Sequence, residues 1–172
     1  MTGKRYTERV KLRKLKNSDA TEFLSNSSQS KALHKSWVIV PRTKKQFKAY
    51  VQEMDTDSNK AFAVIHQASQ AMVGVVELRD IFHFDFKNSY ITYYAFEHYA
   101  RQGLMTSAVL NVITIAFKKL KLHRLEANIQ PDNQASIALA KACGFKKEGF
   151  SPKFIKKGGK WKDHERWALL ND

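Results

Sequence analysis

The chain has 172 residues, 43% hydrophobic and 12% aromatic, enough apolar mass for a single domain over residues 1–172 with a real core. Thirty Lys and Arg against 16 Asp and Glu leave a net charge of +14, which favours anionic partners such as RNA, phosphorylated cofactors or acidic protein tails without choosing among them. Cys143 is the only cysteine, which excludes an internal disulfide, a cysteine-built zinc cluster and a Cys-x-x-Cys motif.

No stretch approaches the roughly 18 apolar residues of a membrane span, and "MTGKRYTERV" lacks the apolar core of a signal peptide, so a cytoplasmic protein without a membrane partner is expected. The cations are spread along the chain, with clusters at "KRYTERVKLRKLK", "RTKKQFK", "KKLKLHR" and "KFIKKGGKWK". No helix carries the long basic stripe of a dedicated nucleic-acid binder, so solvated surface lysines account for most of them.

In chain order, "RVKLRKL" mixes Val10, Leu12 and Leu15 with cations and predicts an edge strand. "NSDATEFL" offers a Ser/Asp helix start, and "TKKQFKAYVQEM" a second helix. "KAFAVIH", "AMVGVVEL" and "YITYYAF" are β-rich runs that predict an antiparallel meander, the first two joined by a "QASQ" turn. Leu104, Ala108, Val112, Ile115 and Ala116 then keep a period near 3.6 through "GLMTSAVLNVITIAFKKL". "HRLEANI" is the next strand, "PDNQASIALAKACGF" a short helix capped by Asn133 and closed by Gly144, and "KFIKKGGKWKDHERWALL" a hairpin turning at Gly158-Gly159. The order β-α-α-β-β-β-α-β-α-β-β predicts a mixed α/β sandwich.

Two places suggest chemistry. Between "YITYYAF" and the long helix, "RQGLMTS" puts Gly103 at a helix start, where backbone can approach a ligand and the first free N–H groups receive an anion such as a pyrophosphate. Arg101 adds a cation there, although one glycine before a helix also fits simple turn geometry. In the shorter helix Ser136 occupies the third position, where a capping box would use Glu or Gln. Cys143, on the face of Leu139 and Ala140, reads as a buried core thiol.

Taken together, "ARQGLMTSA" and "HRLEANIQPDNQASIALAKACGFKKEGF" resemble the acetyl-CoA-binding and adjoining motifs of the GNAT N-acetyltransferases, and within them the RimJ/RimL group that acetylates ribosomal-protein N-termini. The ending "KFIKKGGKWKDHERWALL", "ALHKSWVIV" near Trp37 and the element order extend the resemblance over nearly the whole chain. It implies a GNAT-type α/β fold: a central, mostly antiparallel twisted sheet flanked by helices on both faces.

The resemblance also implies roles. The strand whose backbone pairs with the pantetheine arm falls on Tyr93, Tyr94 and Ala95. The phosphate loop falls on Ala100, Arg101, Gln102, Gly103, Leu104 and Met105, with Thr106 following in the first helical turn. Ala100 and Met105 depart from the family pattern of a long polar and a small residue. Asn133 matches the asparagine that contacts the cofactor arm. The tyrosine that many members place seven residues beyond it, to protonate the departing thiolate, is Ala140 here; Rim-type proteins carry instead a serine three residues after the asparagine, which is Ser136.

For the remaining chemistry, a backbone N–H near Ala95 is expected to polarise the thioester carbonyl. Glu77, alternating with Val73 and Val75 on an otherwise apolar face, is the first choice of base or else half of a cleft-edge salt bridge, with Glu126, Glu97 or a water chain behind it. The six histidines show no metal-ligand spacing or triad partner, and no metal is expected. Trp37, Phe82, Phe84 and Phe86 either roof the substrate groove or pack in the core. The expected activity is direct acetyl transfer to a protein N-terminal amine, by a monomer or homodimer with possible association with ribosomes or acidic proteins. A polyamine- or aminoglycoside-acetylating enzyme and a non-catalytic RNA- or ribosome-associated module of the same fold are the alternatives.

Overall fold

The computed structural model describes residues 9–171. The reading of the first eight residues as free of a signal core, and the first cations of the N-terminal cluster, lie outside the described residues.

Seven strands form one sheet: β1 (Val10–Lys14), β2 (Lys60–His66), β3 (Met72–Phe82), β4 (Asn88–Ala95), β5 (Arg124–Ile129), β6 (Lys146–Lys157) and β7 (Lys160–Leu170). Their spatial order is β1-β2-β3-β4-β5-β7-β6, antiparallel throughout except for the β4/β5 pair, which is parallel. The helices are α1 (Ala20–Gln29), α2 (Lys31–His34), α3 (Lys44–Glu53), α4 (Leu104–Thr114) and α5 (Gln134–Ala142). The β2–β3–β4 meander and β1 at a sheet edge follow the sequence pattern.

Helices cover both faces. Phe23 of α1 and Phe47, Tyr50 and Val51 of α3 pack with Ala63, Val75 and Tyr94 on one side. Leu104, Ala108, Val109 and Val112 of α4, with Ile137 and Ala140 of α5, pack with Val64, Val76, Leu78 and Leu125 on the other. β3 therefore reads as a nearly continuous apolar run, because both of its faces are buried.

Four local expectations change. The final hairpin turns at Gly158 (φ +55°) and Gly159 (φ +79°), a pair that supplies the positive φ of a type I′ turn, but β6 begins at Lys146 rather than Lys153. The early part, "KKEGFSP", looks like a loop because two register shifts, at Lys147/Gly149 and Ser151/Ile155, interrupt its alternation. The long helix ends as a π-turn over Ile115–Lys119, where the Leu120 amide reaches the Ile115 carbonyl. A register shift opposite Val64 and Ile65 puts Val73 on the α4 side, while Val75 stays on the α3 side, so Val73 does not share a face with Val75 and Glu77. Finally, Phe82, Phe84 and Phe86 belong to neither the core nor the groove: they project from the β3–β4 hairpin, Phe84 91% exposed.

Candidate active site

The site begins with a gap in the sheet. β4 and β5 pair only from Asn88–Arg124 to Tyr90–Glu126; beyond that point the parallel strands splay, and residues 91–95 offer an unpaired backbone edge. The Phe96 amide donates to the Val73 carbonyl of β3 at 2.9 Å. The Ala95 carbonyl, on the opposite side of the same planar peptide, therefore points into the gap, and by strand alternation so do the Ala95 amide and the backbone of Tyr93. The Tyr94 backbone turns toward β3. A cavity of about 990 Å³ opens over this gap, and its wall includes Tyr93, Tyr94, Ala95, Asn133 and Ser136.

At one end of the cavity stands the N-terminus of α4. Arg101 (φ +62°) and Gly103 (φ +73°) take left-handed backbone conformations, which fold "ARQG" into a tight turn; Gly103 does so without the steric cost that a Cβ adds. The first-turn amides of Leu104, Met105 and Thr106 have no partner one helical turn back, so they form a ready anion receptor. All residues from Ala100 to Thr106 line the cavity. The Arg9 guanidinium donates to the Gln102 carbonyl at 2.9 Å and braces the turn. Met105, large where the family pattern has a small residue, turns its side chain into the core against Gly74; a Cβ there would lie 2.6 Å from the Met105 sulfur and 2.5 Å from the Tyr94 carbonyl oxygen. Its bulk is thus absorbed behind the site.

The other wall is α5. Asn133 caps it as expected, its side chain accepting from the Ser136 amide at 3.3 Å. The Ser136 carbonyl accepts a hydrogen bond from the Tyr93 hydroxyl at 2.9 Å. Burial pushes the Tyr93 phenol well above its ordinary value, so it stays a proton donor to that carbonyl. Ser136 is thus held by the residue that caps its helix and by one on β4; its hydroxyl makes no hydrogen bond among the described residues, and the residue lines the cavity. Ala140 is fully buried, and burial raises the Cys143 thiol to about 12, leaving it neutral in the core.

Glu77 lies one layer behind the wall and is not part of it. It is 4% exposed, and both oxygens are occupied: the Tyr50 hydroxyl donates to Oε1, and Arg79 Nε donates to Oε2 at 2.6 Å. Arg79 continues to Glu53 at 2.6 Å, and the Tyr50 and Tyr94 hydroxyls are 3.2 Å apart. Of the other carboxylates considered, Glu126 pairs with Arg124 at 2.7 Å, and Glu97 is exposed on the cavity rim. Trp37 lines the cavity, and so does Lys157, a half-buried cation whose proton affinity burial lowers.

Two participants were missed by sequence reasoning. The Tyr93 hydroxyl was hidden because its partner is a backbone carbonyl. His34 reaches the gap from α2, with Nε2 2.8 Å from the Ala95 carbonyl. The surrounding "ALHKSWVIV" belongs to the stretch that carries the family resemblance, but a histidine whose partner is main chain leaves no spacing signal. Among the described residues no group of three or more His, Cys, Asp or Glu could hold a metal ion, and no helix is long and apolar enough to cross a membrane.

A sheet split between β4 and β5, with a glycine-led helix at one end of the gap and a short capped helix beside it, matches the acetyltransferase scaffold that the sequence resemblance implies, and sequence comparison shows the class. Residues 9–146 match the acetyltransferase (GNAT) domain model, and the chain belongs to the GNAT acetyltransferase family. It is similar to the probable N-acetyltransferase YjcK of Bacillus subtilis (strain 168), 29% identical over 94% of both chains. Its fold is also that of the ribosomal-protein-S5-alanine acetyltransferase of Vibrio fischeri (TM-score 0.85, 26% identity, 95% of this chain and 94% of that one). The spermidine N-acetyltransferase of Vibrio cholerae, solved with CoA and spermine, shares the fold at 19% identity (TM-score 0.81, 95% of this chain and 96% of that one). The protein is an N-acetyltransferase of mixed α/β architecture.

Proposed function

We propose that the protein transfers the acetyl group of acetyl-CoA to the N-terminal α-amine of a protein, acting in the cytoplasm. The observation that carries this reading is the continuity of one cavity lined by the residues of the α4 N-terminus, the unpaired edge of β4 and Ser136. The residues present fit CoA: Gly103 and the first-turn amides suit the pyrophosphate, Arg101 adds charge, and the Tyr93 and Ala95 backbone offers a strand edge to the pantetheine arm. Asn133 lines the same cavity. When bound, acetyl-CoA supplies an acyl group activated as a thioester.

The chain's own groups then have separable tasks. The Ala95 amide, aimed into the gap, polarises the carbonyl under attack. The Ser136 hydroxyl donates a proton to the leaving sulfur, held in place by Tyr93 and Asn133. Glu77, with both oxygens engaged behind the wall, is assigned to holding Tyr50 and Arg79 in register beneath the acceptor side.

The acceptor assignment is supported by the likeness to an S5-alanine acetyltransferase at 26% identity, whereas the likeness to a spermidine enzyme at 19% concerns the fold alone. The +14 charge suits an amine presented on a ribosomal or acidic surface and disfavours a polycation. The test is release of CoA thiol with N-terminal peptides, free lysine and spermidine as acceptors. Faster turnover of the peptides is expected; a preference for spermidine overturns the acceptor assignment.

A further inference from the structure

We propose that His34 is the general base of the reaction, accepting at Nδ1 the proton that the acceptor nitrogen loses; the proposal rests on the acetyl-transfer reading above. The argument starts from a hydrogen bond. Nε2 lies 2.8 Å from the Ala95 carbonyl oxygen, and a carbonyl only accepts, so the hydrogen is on Nε2. In the neutral ring the lone pair is then on Nδ1. Among the described residues that atom is buried with no hydrogen-bond partner, a rare arrangement in folded proteins that calls for an explanation.

Position makes it useful. The Ala95 carbonyl points into the β4/β5 gap, so the imidazole that binds it stands at the splay, beside the amide assigned to polarise the thioester. His34 lines the cavity and is 5% exposed. The rings of Tyr94 and Phe96 meet it with centroids 5.5 Å and 6.3 Å away and fix its orientation. Among charged groups, Arg42 opposes its protonation, Glu97 and the Ala95 carbonyl favour it, and Lys35 follows it in the chain at the end of α2. Burial outweighs these and holds the ring below its ordinary value, so it is neutral and available near pH 7.

The proton balance closes. The neutral amine attacks, an N–C bond forms, and the nitrogen's proton passes to His34 Nδ1. The C–S bond breaks with its electron pair on sulfur, and Ser136 donates its hydroxyl proton there. His34 then returns its proton to solvent and Ser136 recovers one, leaving an amide and a free thiol. The other imidazole on the cavity wall, His164, binds the Lys162 carbonyl through Nδ1 at 2.9 Å, away from Ala95, and serves as the control.

The experiment is the pH dependence of kcat/KM, on a peptide with a free N-terminus, for the full-length wild type, His34→Gln, His34→Gly and His164→Gln. Glutamine retains a donor for the Ala95 carbonyl but no base. His34→Gln is expected to lose about 10²-fold near pH 7, to recover as pH rises, and to keep its affinity for acetyl-CoA. His34→Gly is expected to be rescued by added imidazole in proportion to the neutral form. Full activity in His34→Gln means that the histidine only positions Ala95, which overturns the proposal, as does loss of the acid limb in His164→Gln alone. If His34→Gln misfolds, failure of imidazole to rescue a folded His34→Gly overturns it instead. A wild type that acetylates no peptide overturns the acceptor reading and this proposal together; an active wild type whose profile superimposes on that of His34→Gln overturns this proposal alone.

Discussion

Ser136 is useful because of what its neighbours do with the rest of the residue. Its amide is bound to the Asn133 side chain and its carbonyl to the Tyr93 hydroxyl, which leaves the side-chain oxygen as the group free to meet a ligand. Ser136→Ala should therefore lower kcat by up to about 10²-fold while calorimetry finds acetyl-CoA affinity unchanged; full turnover under chemistry-limited conditions would remove Ser136 from the mechanism. Glu77 presents the opposite case. Removing its charge leaves Arg79 bonded to Glu53 but short of its buried partner, and the Tyr50 hydroxyl loses its ionised acceptor. Loss of one member of a buried pair costs about 3–5 kcal/mol, and because Arg79 is 33% exposed, Glu77→Gln should cost nearer 2 kcal/mol. Denaturant unfolding should show that loss, and the pH–rate profile of the folded variant should keep its wild-type shape. A selective loss of rate at neutral pH, rescued by higher pH, would return Glu77 to the role of base.

At the scale of elements, the turn before α4 is the proposed receptor for the cofactor's phosphates. A β-branched residue is strained at the φ of +73° that Gly103 adopts, and relaxing it moves the first-turn amides. Gly103→Val should weaken acetyl-CoA binding by tenfold or more, about 1.4 kcal/mol, with the far-ultraviolet circular dichroism unchanged; equal affinity in a folded variant would place the phosphates elsewhere. This turn was readable in the sequence, as were the α4 period, the Asn133 cap and the Gly158-Gly159 hairpin, because each depends on residues close in the chain. What could not be read depends on contacts across the fold. Val73 appeared to alternate with Val75 and Glu77 until a bulge set by pairing with β2 turned it to the other face. The onset of β6 was hidden by two bulges. For the base candidate Glu77 the sequence shows an apolar strand face but not Tyr50, which α3 brings onto its carboxylate from 27 residues away. His34 gave no signal, since its partner is a carbonyl 61 residues distant.

For the whole molecule, charge and burial set the response to pH. Burial lowers the affinity of both His34 and His164 for protons. Their unfolded counterparts titrate near 6.5, so as pH falls below that value the unfolded chain takes up protons that the folded chain refuses, and stability must decline. The +14 charge adds self-repulsion in the same direction. Denaturant unfolding is expected to give a smaller free energy at about pH 5.5 than at 7.5, with the difference reduced in His164→Gln; greater stability at the lower pH would contradict it. The same global charge, with a cavity that joins the α4 N-terminus to Ser136, supports an acceptor that brings a single weakly basic amine. An N-terminal amine, with a reference pKa near 7.7–8.0 against about 10.4 for lysine, is partly neutral at pH 7 and needs only a modest base. The central claim is therefore tested most directly by locating the acetyl group. A peptide bearing both a free N-terminus and an internal lysine, incubated with the enzyme and acetyl-CoA, should by tandem mass spectrometry carry the acetyl group on its α-amine; acetylation of the lysine alone would contradict the account.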